Sequence, residues 1–328
     1  MAKIKAIVIE QYGAAQELVL RERELAPPGQ GEALIRVAAV GVNFVDIYWR
    51  TGFDPLPLPL VPGLEAAGVV ESVGPGVDSI MPGDRVAFAR QPGTYAEACV
   101  VPADSLIALP NDLSFEQGAA FPLQGLTAHY LIHDFRKPLP GDVVLIHAAA
   151  GGVGLLLVQW ARHLGARVIG TVSTPEKAEA VQQAGAHDVI LYTEQDFAAE
   201  ALRLTDGHGA DLIIDGVGKT TFQGNLQAAA IRGHIVIFGA ASGPAEPISP
   251  NALMGRSLTL SGGDLRHFLP SRDELLRRAD DVVEGLRAGW LQQRVFQVFP
   301  LAQAAQAHQA LEGRQTIGKV LLSTESLK

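Results

Sequence analysis

The stretch that decides the fold is VVLIHAAAGGVGLLLVQWA, residues 143–161, which reads as a buried strand, a tight turn and an apolar helix. Its turn is built from alanine and glycine, which leave little side chain in the way of an approaching phosphate. The small-residue places of the fingerprint G-x-G-x-x-G fall on Ala149, Gly151 and Gly154, with alanine in the first place. Because N–H groups at the start of a helix attract anions, the stretch predicts a dinucleotide site.

Two other interpretations of this stretch are open from sequence alone. Residues 143–161 carry no charge, and an apolar segment of that length would just span a bilayer. The glycines and alanines cluster at its centre, and Asp142 and Arg162 bound it directly, which favours a turn between strand and helix. A similar turn in another parallel α/β fold would bind no ligand at all.

Composition restricts the classes of partner. The 328 residues carry a net charge of −9, which disfavours nucleic acid or an acidic membrane surface. The single cysteine, Cys99, excludes an intramolecular disulfide and a cysteine-based zinc cluster, and it fits a reducing compartment. The apolar run in residues 1–10 is too short for a signal peptide. We therefore expect a soluble cytoplasmic protein with no nucleic-acid partner and no membrane partner.

The rest of the chain divides into three segments. Residues 1–122 contain short β-like runs separated by glycine and proline, which predicts a mostly antiparallel β domain. Residues 123–262 alternate buried strands with helices, which predicts an α/β Rossmann fold with a doubly wound parallel sheet. Its strands are expected at 143–146, 167–172, 187–191, 210–215, 234–239 and 257–260. Residues 263–328 have no further crossover to complete, so we expect them to return to the first domain.

The end of the second predicted Rossmann strand bears on the choice of nucleotide. An acid there would accept the ribose 2′-hydroxyl of NAD, but the strand ends at Ser173 with no Asp or Glu at its tip. Ser173 could hydrogen-bond a 2′-phosphate and Lys177 could neutralise it, although Lys177 could also be an ordinary solvated lysine. Glu176 is the one contrary residue, and it could simply complement the helix dipole. The pattern favours NADPH over NADH.

Several segments together resemble a known family over nearly the whole chain. The sequence resembles the medium-chain dehydrogenase/reductases and, within them, the zinc-free, zeta-crystallin-like quinone oxidoreductases. The matching segments are GVNFVDIY at 41–48, PGLEAAG at 62–68, PGDRV at 82–86, LTA at 126–128 and the turn at 147–154. The resemblance implies a GroES-like β domain beside the Rossmann domain, metal-free hydride transfer from NADPH to a quinone, and a homodimer formed through the edge strand from Leu258 to Ser261.

The same resemblance bears on zinc. Zinc-dependent relatives hold a catalytic metal with a cysteine and a histidine, whose places are taken here by Asn43 and Leu64. Leucine cannot coordinate zinc. We therefore expect no metal site.

The resemblance also implies site residues. Asn43, Tyr48 and Thr127 would line the cleft near the nicotinamide, with Tyr48 bonding the acceptor oxygen and Asn43 orienting the nicotinamide or the acceptor. Tyr48 could equally be a wall that stacks on the nicotinamide, while Tyr192 and Phe238 could be ordinary strand-end and core residues. The other implied contacts are Ala150, Gly151, Gly152 and Val153 for the diphosphate; Ser173, Lys177 and Tyr192 for the 2′-phosphate end; Val217, Phe238 and Gly239 along the nicotinamide side; and Lys319 closing over the cofactor.

Parts of the sequence also fit other activities. An NADPH-dependent 2-alkenal, enone or enoyl-thioester reductase would use the same scaffold, and a non-catalytic NADPH-binding protein would use the same nucleotide site. A P-loop NTPase is disfavoured, because Ile213 stands in place of the leading glycine of one candidate loop. In the other candidate loop, Val320 stands in place of the magnesium-binding hydroxyl residue.

Overall fold

The computed structural model describes residues 2–324, which form two compact units. Of the described residues, the first unit comprises 2–123, Ser271–Ala279 and 295–324, and the second comprises Gln124–Pro270 and Asp280–Arg294. The strands are β1 Ala2–Val8, β2 Val19–Leu25, β3 Glu32–Val42, β4 Glu65–Val73, β5 Arg85–Ala89, β6 Ala98–Pro102, β7 Ile107–Ala108, β8 Val143–Ile146, β9 Arg167–Val172, β10 Asp188–Leu191, β11 Ala210–Asp215, β12 Ala229–Ile237, β13 Thr259–Gly262, β14 Val295–Pro300 and β15 Lys319–Ser323. The α-helices are α1 Phe44–Thr51, α2 Phe115–Ala120, α3 Pro122–His133, α4 Gly152–His163, α5 Pro175–Gln183, α6 Phe197–Leu204, α7 Phe222–Ala228, α8 Arg272–Ala288 and α9 Ala304–Glu312.

The second unit is built on a parallel sheet with strand order β10-β9-β8-β11-β12-β13. In chain order this is 3-2-1-4-5-6, which confirms the predicted Rossmann arrangement. The central strand β8 is buried along its whole length, as expected where helices cover both faces of a parallel sheet. β13 lies at one edge of the sheet, and it begins at Thr259 rather than at Leu258.

The first unit contains a largely antiparallel sheet with strand order β14-β15-β3-β4-β5-β7, and β6 pairs with β3 outside that path. The sequence predicted this antiparallel domain, and the structure confirms it. The sequence of β3 alternates as a half-buried strand requires: Ala33, Ile35 and Val37 are buried, and Arg36 between them is exposed. From Ala39 to Val42 every residue is buried, and this end of the strand leads directly into α1.

The segment after residue 262 belongs to both units. Residues 263–270 and 280–294 lie in the second unit, whereas the sequence predicted a return of the whole of 263–328 to the first domain. Aromatic packing holds the later piece there, because the Trp290 ring lies 5.4 Å from that of Trp160 and stacks at 4.1 Å on His163. Among residues 2–324, no helix combines the length and the apolarity needed to cross a bilayer.

Candidate functional site

The turn after β8 is shaped to receive an anion. Ala148 takes a left-handed backbone conformation (φ 49°), and the N–H of Gly151 donates back to its carbonyl at 2.9 Å. A bond from the N–H of Leu155 to the carbonyl of Gly151 then begins the hydrogen-bond ladder of α4. The N–H groups of residues 152–154 precede that bond and have no acceptor within the helix. These are the donors that a diphosphate would use.

Steric contacts explain the pattern of small residues in this turn. A Cβ on Gly154 would collide with the carbonyl oxygen of Ala148 and lie 2.7 Å from that of Ala149, so α4 packs too closely on the turn for any side chain there. The alanine in the first place faces Gly170 of β9, where an added Cβ would lie only 2.9 Å from the Cβ of Ala149. A glycine on the neighbouring strand therefore makes room for Ala149.

The residues predicted for the 2′-phosphate lie together at the ends of β9 and β10. The Nζ of Lys177 donates to the Oγ of Ser173 at 3.2 Å, across one turn of backbone. The N–H of Tyr192 bonds the carbonyl of Val172 at 3.1 Å, which places Tyr192 beside the same strand end. Glu176 is exposed in the first turn of α5. The Lys177 ammonium and the Ser173 hydroxyl therefore meet at the tip of β9, with the backbone of Tyr192 beside them.

A buried carboxylate organises the loop after β11. Asp215 accepts four hydrogen bonds: from the N–H groups of Val217 (2.7 Å) and Gly218 (3.1 Å), from the hydroxyl of Thr221 (2.7 Å) and from the amide of Asn225 (2.6 Å). Every donor except Asn225 lies in the loop itself. Asp215 thus fixes the backbone at Val217, and sequence reasoning missed this role because it treated the aspartate only as a strand end.

Behind this carboxylate lies a buried histidine. The Nε2 of His147 is 2.7 Å from the Oδ1 of Asn225, and its Nδ1 is 2.9 Å from the hydroxyl of Thr171. Burial lowers the pKa of His147, so the ring is neutral at physiological pH. Through these two hydrogen bonds the neutral ring connects β8 with β9 and with α7.

The other predicted residues of the second unit are placed as follows. The Phe238 ring covers Gly216, whose added Cβ would lie 2.7 Å from it, and an added Cβ on Gly239 would lie 2.8 Å from the Gly216 carbonyl oxygen. Val217, Phe238 and Gly239 are thereby neighbours at the ends of β11 and β12. Thr127 lies half-buried on α3, Ala150 is buried, and Gly151, Gly152 and Val153 are half-buried.

In the first unit, a buried amide and an ion pair meet where β3 passes into α1. The Nδ2 of Asn43 donates to the carbonyl of Gly41 at 3.2 Å and to Glu65 Oε2 at 3.0 Å. Lys319 Nζ donates to the Oδ1 of Asn43 at 2.8 Å and to Glu65 Oε2 at 2.5 Å. The exposed fractions of Asn43, Glu65 and Lys319 are 6%, 0% and 2%.

These contacts limit what Asn43 can do. Both amide hydrogens are already donated within the protein, and Lys319 uses one lone pair of Oδ1. The capping box at the start of α1 also brings the N–H of Asp46 to the Asn43 side chain, so this amide is held by protein groups and has no hydrogen left to donate to a ligand. Lys319, predicted to close over the cofactor, is buried in β15 against Glu65, a residue whose role sequence reasoning missed.

Tyr48 belongs to a group of aromatic rings on and after α1. Its ring lies 6.3 Å from that of Phe44 and 5.1 Å from that of Phe53, in tilted contacts. Tyr48 is half-buried, and 55% of Phe53 is exposed. The three rings give this end of the first unit an apolar face with one hydroxyl group.

The residues at the positions of the zinc ligands in zinc-dependent relatives do not fit zinc. Leu64 packs against the hydrophobic core of the first unit, and the amide of Asn43 is bonded to protein groups. Leucine offers no ligand atom, and a metal at Asn43 would have to displace the Lys319 ammonium. Within residues 2–324, no group of three or more His, Cys, Asp or Glu side chains could hold a metal ion.

Comparison with known proteins places this geometry in a family. Residues 29–111 match the alcohol dehydrogenase GroES-like domain family, and residues 152–279 match the zinc-binding dehydrogenase family. The chain is 43% identical to a 2-haloacrylate reductase of a Burkholderia species, over 97% of this chain and 98% of that protein. It is 40% identical to a quinone oxidoreductase of Pseudomonas aeruginosa, over 97% of this chain and 99% of that one.

A solved structure gives the same result. The Escherichia coli quinone oxidoreductase complexed with NADPH superposes with a TM-score of 0.95 at 37% identity, covering 98% of this chain and 100% of that one. Identity and coverage at this level extend over both units. The chain therefore belongs to the medium-chain dehydrogenase/reductase superfamily, in the group that contains proteins named quinone oxidoreductases.

Proposed function

We propose that this protein is an NADPH-dependent quinone oxidoreductase that transfers a hydride from NADPH to a quinone without a metal. The cofactor choice is supported by Lys177 and Ser173, which gather a positive charge and a hydroxyl at the strand tip where an NAD-specific site would carry an acid. The turn at 148–154 supplies the diphosphate donors. The Escherichia coli relative, which was crystallised with NADPH, supports the same cofactor.

NADPH, when bound, supplies the hydride, so the protein has only to position the reactants and stabilise the acceptor oxygen. Asn43, whose amide is held by Gly41, Glu65 and Lys319, would orient the nicotinamide or the acceptor as a fixed polar surface. Lys319 fixes the orientation of the Asn43 side-chain amide by donating to its Oδ1. Tyr48 donates its hydroxyl to the acceptor oxygen.

The observation that carries the choice of acceptor is the aromatic face formed by Phe44, Tyr48 and Phe53. Such a face suits a flat quinone ring, because aromatic rings pack favourably in stacked and tilted pairs. A small carboxylate substrate would instead need a cation. Two buried cations of the first unit are already paired, Lys319 with Glu65 and Arg50 with Glu312.

A second candidate is an NADPH-dependent reductase of activated alkenes, an enone or an enoyl thioester among them. The 43% identity to a 2-haloacrylate reductase favours it. In that reaction Tyr48 would act as the general acid that protonates the carbon skeleton after hydride addition. A third possibility is that the protein binds NADPH at the nucleotide site but reduces no substrate at the aromatic face.

One assay separates these candidates. Loss of NADPH absorbance is measured with an ortho-quinone, a para-quinone, a 2-alkenal and a 2-haloacrylate, and NADH is run in parallel. Quinone turnover with a preference for NADPH supports the proposal. Turnover confined to the alkenal or the haloacrylate transfers the function to the second candidate, and binding of NADPH without any turnover removes the enzyme assignment.

We further propose a homodimer through β13. This strand lies at an edge of the parallel sheet, and Leu260 on it is 37% exposed. An uncovered apolar edge is prone to pair with another strand, and a second copy of β13 would satisfy it. Sedimentation velocity should show a dimer, and Leu260→Lys should shift it towards monomer; a monomeric wild-type protein would overturn the proposal.

A further inference from the structure

A chain of buried hydrogen bonds runs behind Asn43 in the first unit. Asp46 on α1 accepts the backbone N–H of Asn43 at 2.8 Å and the hydroxyl of Tyr95 at 3.1 Å, both on Oδ2. The Tyr95 hydroxyl is in turn 2.9 Å from the Nε2 of His308 on α9. Asp46, Tyr95 and His308 are all completely buried. None of these three residues has a role in the function proposed above.

The contact between Arg50 and His308 decides which group donates and which accepts in each of these hydrogen bonds. Arg50 has only donors, and its Nη1 lies 3.5 Å from the Nδ1 of His308, so that nitrogen is the acceptor. Burial, with the Arg50 charge, lowers the pKa of His308 to about 3, so the ring is neutral and its proton is on Nε2. His308 then donates to the Tyr95 oxygen, and Tyr95 donates to Asp46.

The other carboxylate oxygen of Asp46 lacks a hydrogen-bond partner among the described residues. Burial raises the pKa of Asp46 to about 7, and Glu65 on β4 adds to the rise; the Asn43 N–H, Lys319 on β15 and the Tyr95 hydroxyl oppose it. The other charged group near the chain is Arg50, on the same helix as Asp46 and bonded to Glu312. The carboxyl group therefore changes charge in the neutral range.

We propose that Asp46 is a positioning residue for Asn43, and that Tyr95 and His308 keep it ionised so that Asn43 holds the nicotinamide only while Asp46 is a carboxylate. An ionised carboxylate binds the Asn43 N–H more strongly than a neutral acid does, because charge-assisted hydrogen bonds are the stronger kind. Protonation weakens the anchor at the point where β3 enters α1. Use of NADPH should accordingly decline on the acid side of neutrality.

The test is the pH profile of kcat/KM for NADPH, measured between about pH 5 and 9 with the best acceptor. The wild-type profile should fall on the acid side with a midpoint near the pKa of Asp46, about 7. Tyr95→Phe removes a donor that favours the charged form, so the midpoint should rise by about one pH unit. Tyr130→Phe is the matched control, since Tyr130 is a buried tyrosine of the second unit, and its midpoint should not move. Asp46→Asn cannot ionise and should lack the acid fall altogether.

A second measurement keeps the inference testable if a variant folds poorly or no acceptor is found. The infrared carbonyl band of a protonated carboxyl should appear in the wild-type protein, without NADPH, as the pH falls through neutrality, and it should be missing in Asp46→Asn. Only the kinetic readout of this inference rests on the proposed function. If the wild-type protein shows the infrared band but turns over no acceptor, the proposed function is refuted and the titration of Asp46 is not. An unmoved midpoint in Tyr95→Phe, an acid fall that persists in Asp46→Asn, or no infrared band would each overturn it.

Discussion

The two units build their candidate sites by different physical means. The second unit uses backbone: the turn at 148–154 offers N–H groups and excludes side chains, and the turn itself contains no charged group. The first unit uses buried side chains, with an ammonium, a carboxylate and an amide in direct contact at Lys319, Glu65 and Asn43. A backbone site fails when atoms are added, whereas a buried charge network fails when atoms are removed. The two sites should therefore respond to opposite kinds of substitution.

The largest effect is expected from Lys319→Met. The substitution leaves the Glu65 carboxylate buried and unpaired, so the free energy of unfolding should fall by about 3–5 kcal/mol. Urea denaturation followed by circular dichroism measures it. Adding Glu65→Gln should recover much of the loss, because the uncompensated charge is then gone.

The matched control for this substitution is Lys219→Met. Lys219 is 57% exposed and lies 4.0 Å from Glu246, so its loss should change stability by less than about 0.5 kcal/mol. Equal effects of the two lysine substitutions would show that the pair between Lys319 and Glu65 is no more important than a surface contact.

The second prediction adds an atom to the backbone site. Gly154→Ala places a Cβ against the Ala148 and Ala149 carbonyl oxygens, so α4 must move away from the turn. We expect a loss of about 1–3 kcal/mol in stability and weaker NADPH binding by fluorescence titration. Gly255→Ala is the control, since nothing lies within 4 Å of the added carbon. If both variants bind NADPH like the wild type, close packing of the turn is not required.

The same contrast explains what the sequence could predict. The turn, its helix and the pair formed by Ser173 and Lys177 lie within short stretches, where spacing alone indicates which groups meet. Two contacts of Asn43 come from residues far along the chain: its bond to Glu65 spans 22 positions and its bond to Lys319 spans 276. No periodicity relates such residues. Asn43 and Lys319 entered the prediction through family resemblance alone, and Glu65, Asp46, Tyr95 and His308 were not singled out.

Element boundaries show a similar limit. The strand expected at 234–239 is observed as β12 from Ala229 to Ile237. Its first part carries Arg232 with a left-handed φ of 64°, and its pairing with β11 shifts register near Ala210. An irregular strand start has no period-2 pattern, so the sequence indicated only the regular part.

The third prediction concerns Lys177, the basic side chain that contacts Ser173 at the tip of β9. Lys177→Ala removes the charge that is proposed to bind the 2′-phosphate, so the Kd for NADPH should rise about 10- to 100-fold. The Kd for NADH, which has no 2′-phosphate, should change little. Lys3→Ala, on an exposed position of β1, is the control. An equal loss for both nucleotides would count against a phosphate role for Lys177.

The fourth prediction concerns the hydroxyl of the aromatic face. Tyr48→Phe keeps the ring between Phe44 and Phe53 and removes only the donor, so turnover should fall about tenfold. The Kd for NADPH should stay near its wild-type value, because the hydroxyl is assigned to the acceptor. Unchanged turnover with every accepted substrate would leave Tyr48 as a stacking wall, which is the other interpretation of this residue.

The smallest effect is expected from metal removal. In the first unit the Lys319 ammonium, a fixed positive charge, contacts Asn43 Oδ1 and Glu65 Oε2. A zinc ion at Asn43 would have to compete with that ammonium, and Leu64 offers it no ligand atom. Prolonged dialysis against a strong zinc chelator should therefore leave quinone turnover and the melting temperature unchanged, while a zinc-dependent alcohol dehydrogenase treated alongside loses activity. Loss of turnover that added zinc restores would show that the buried charges of the first unit leave room for a metal after all.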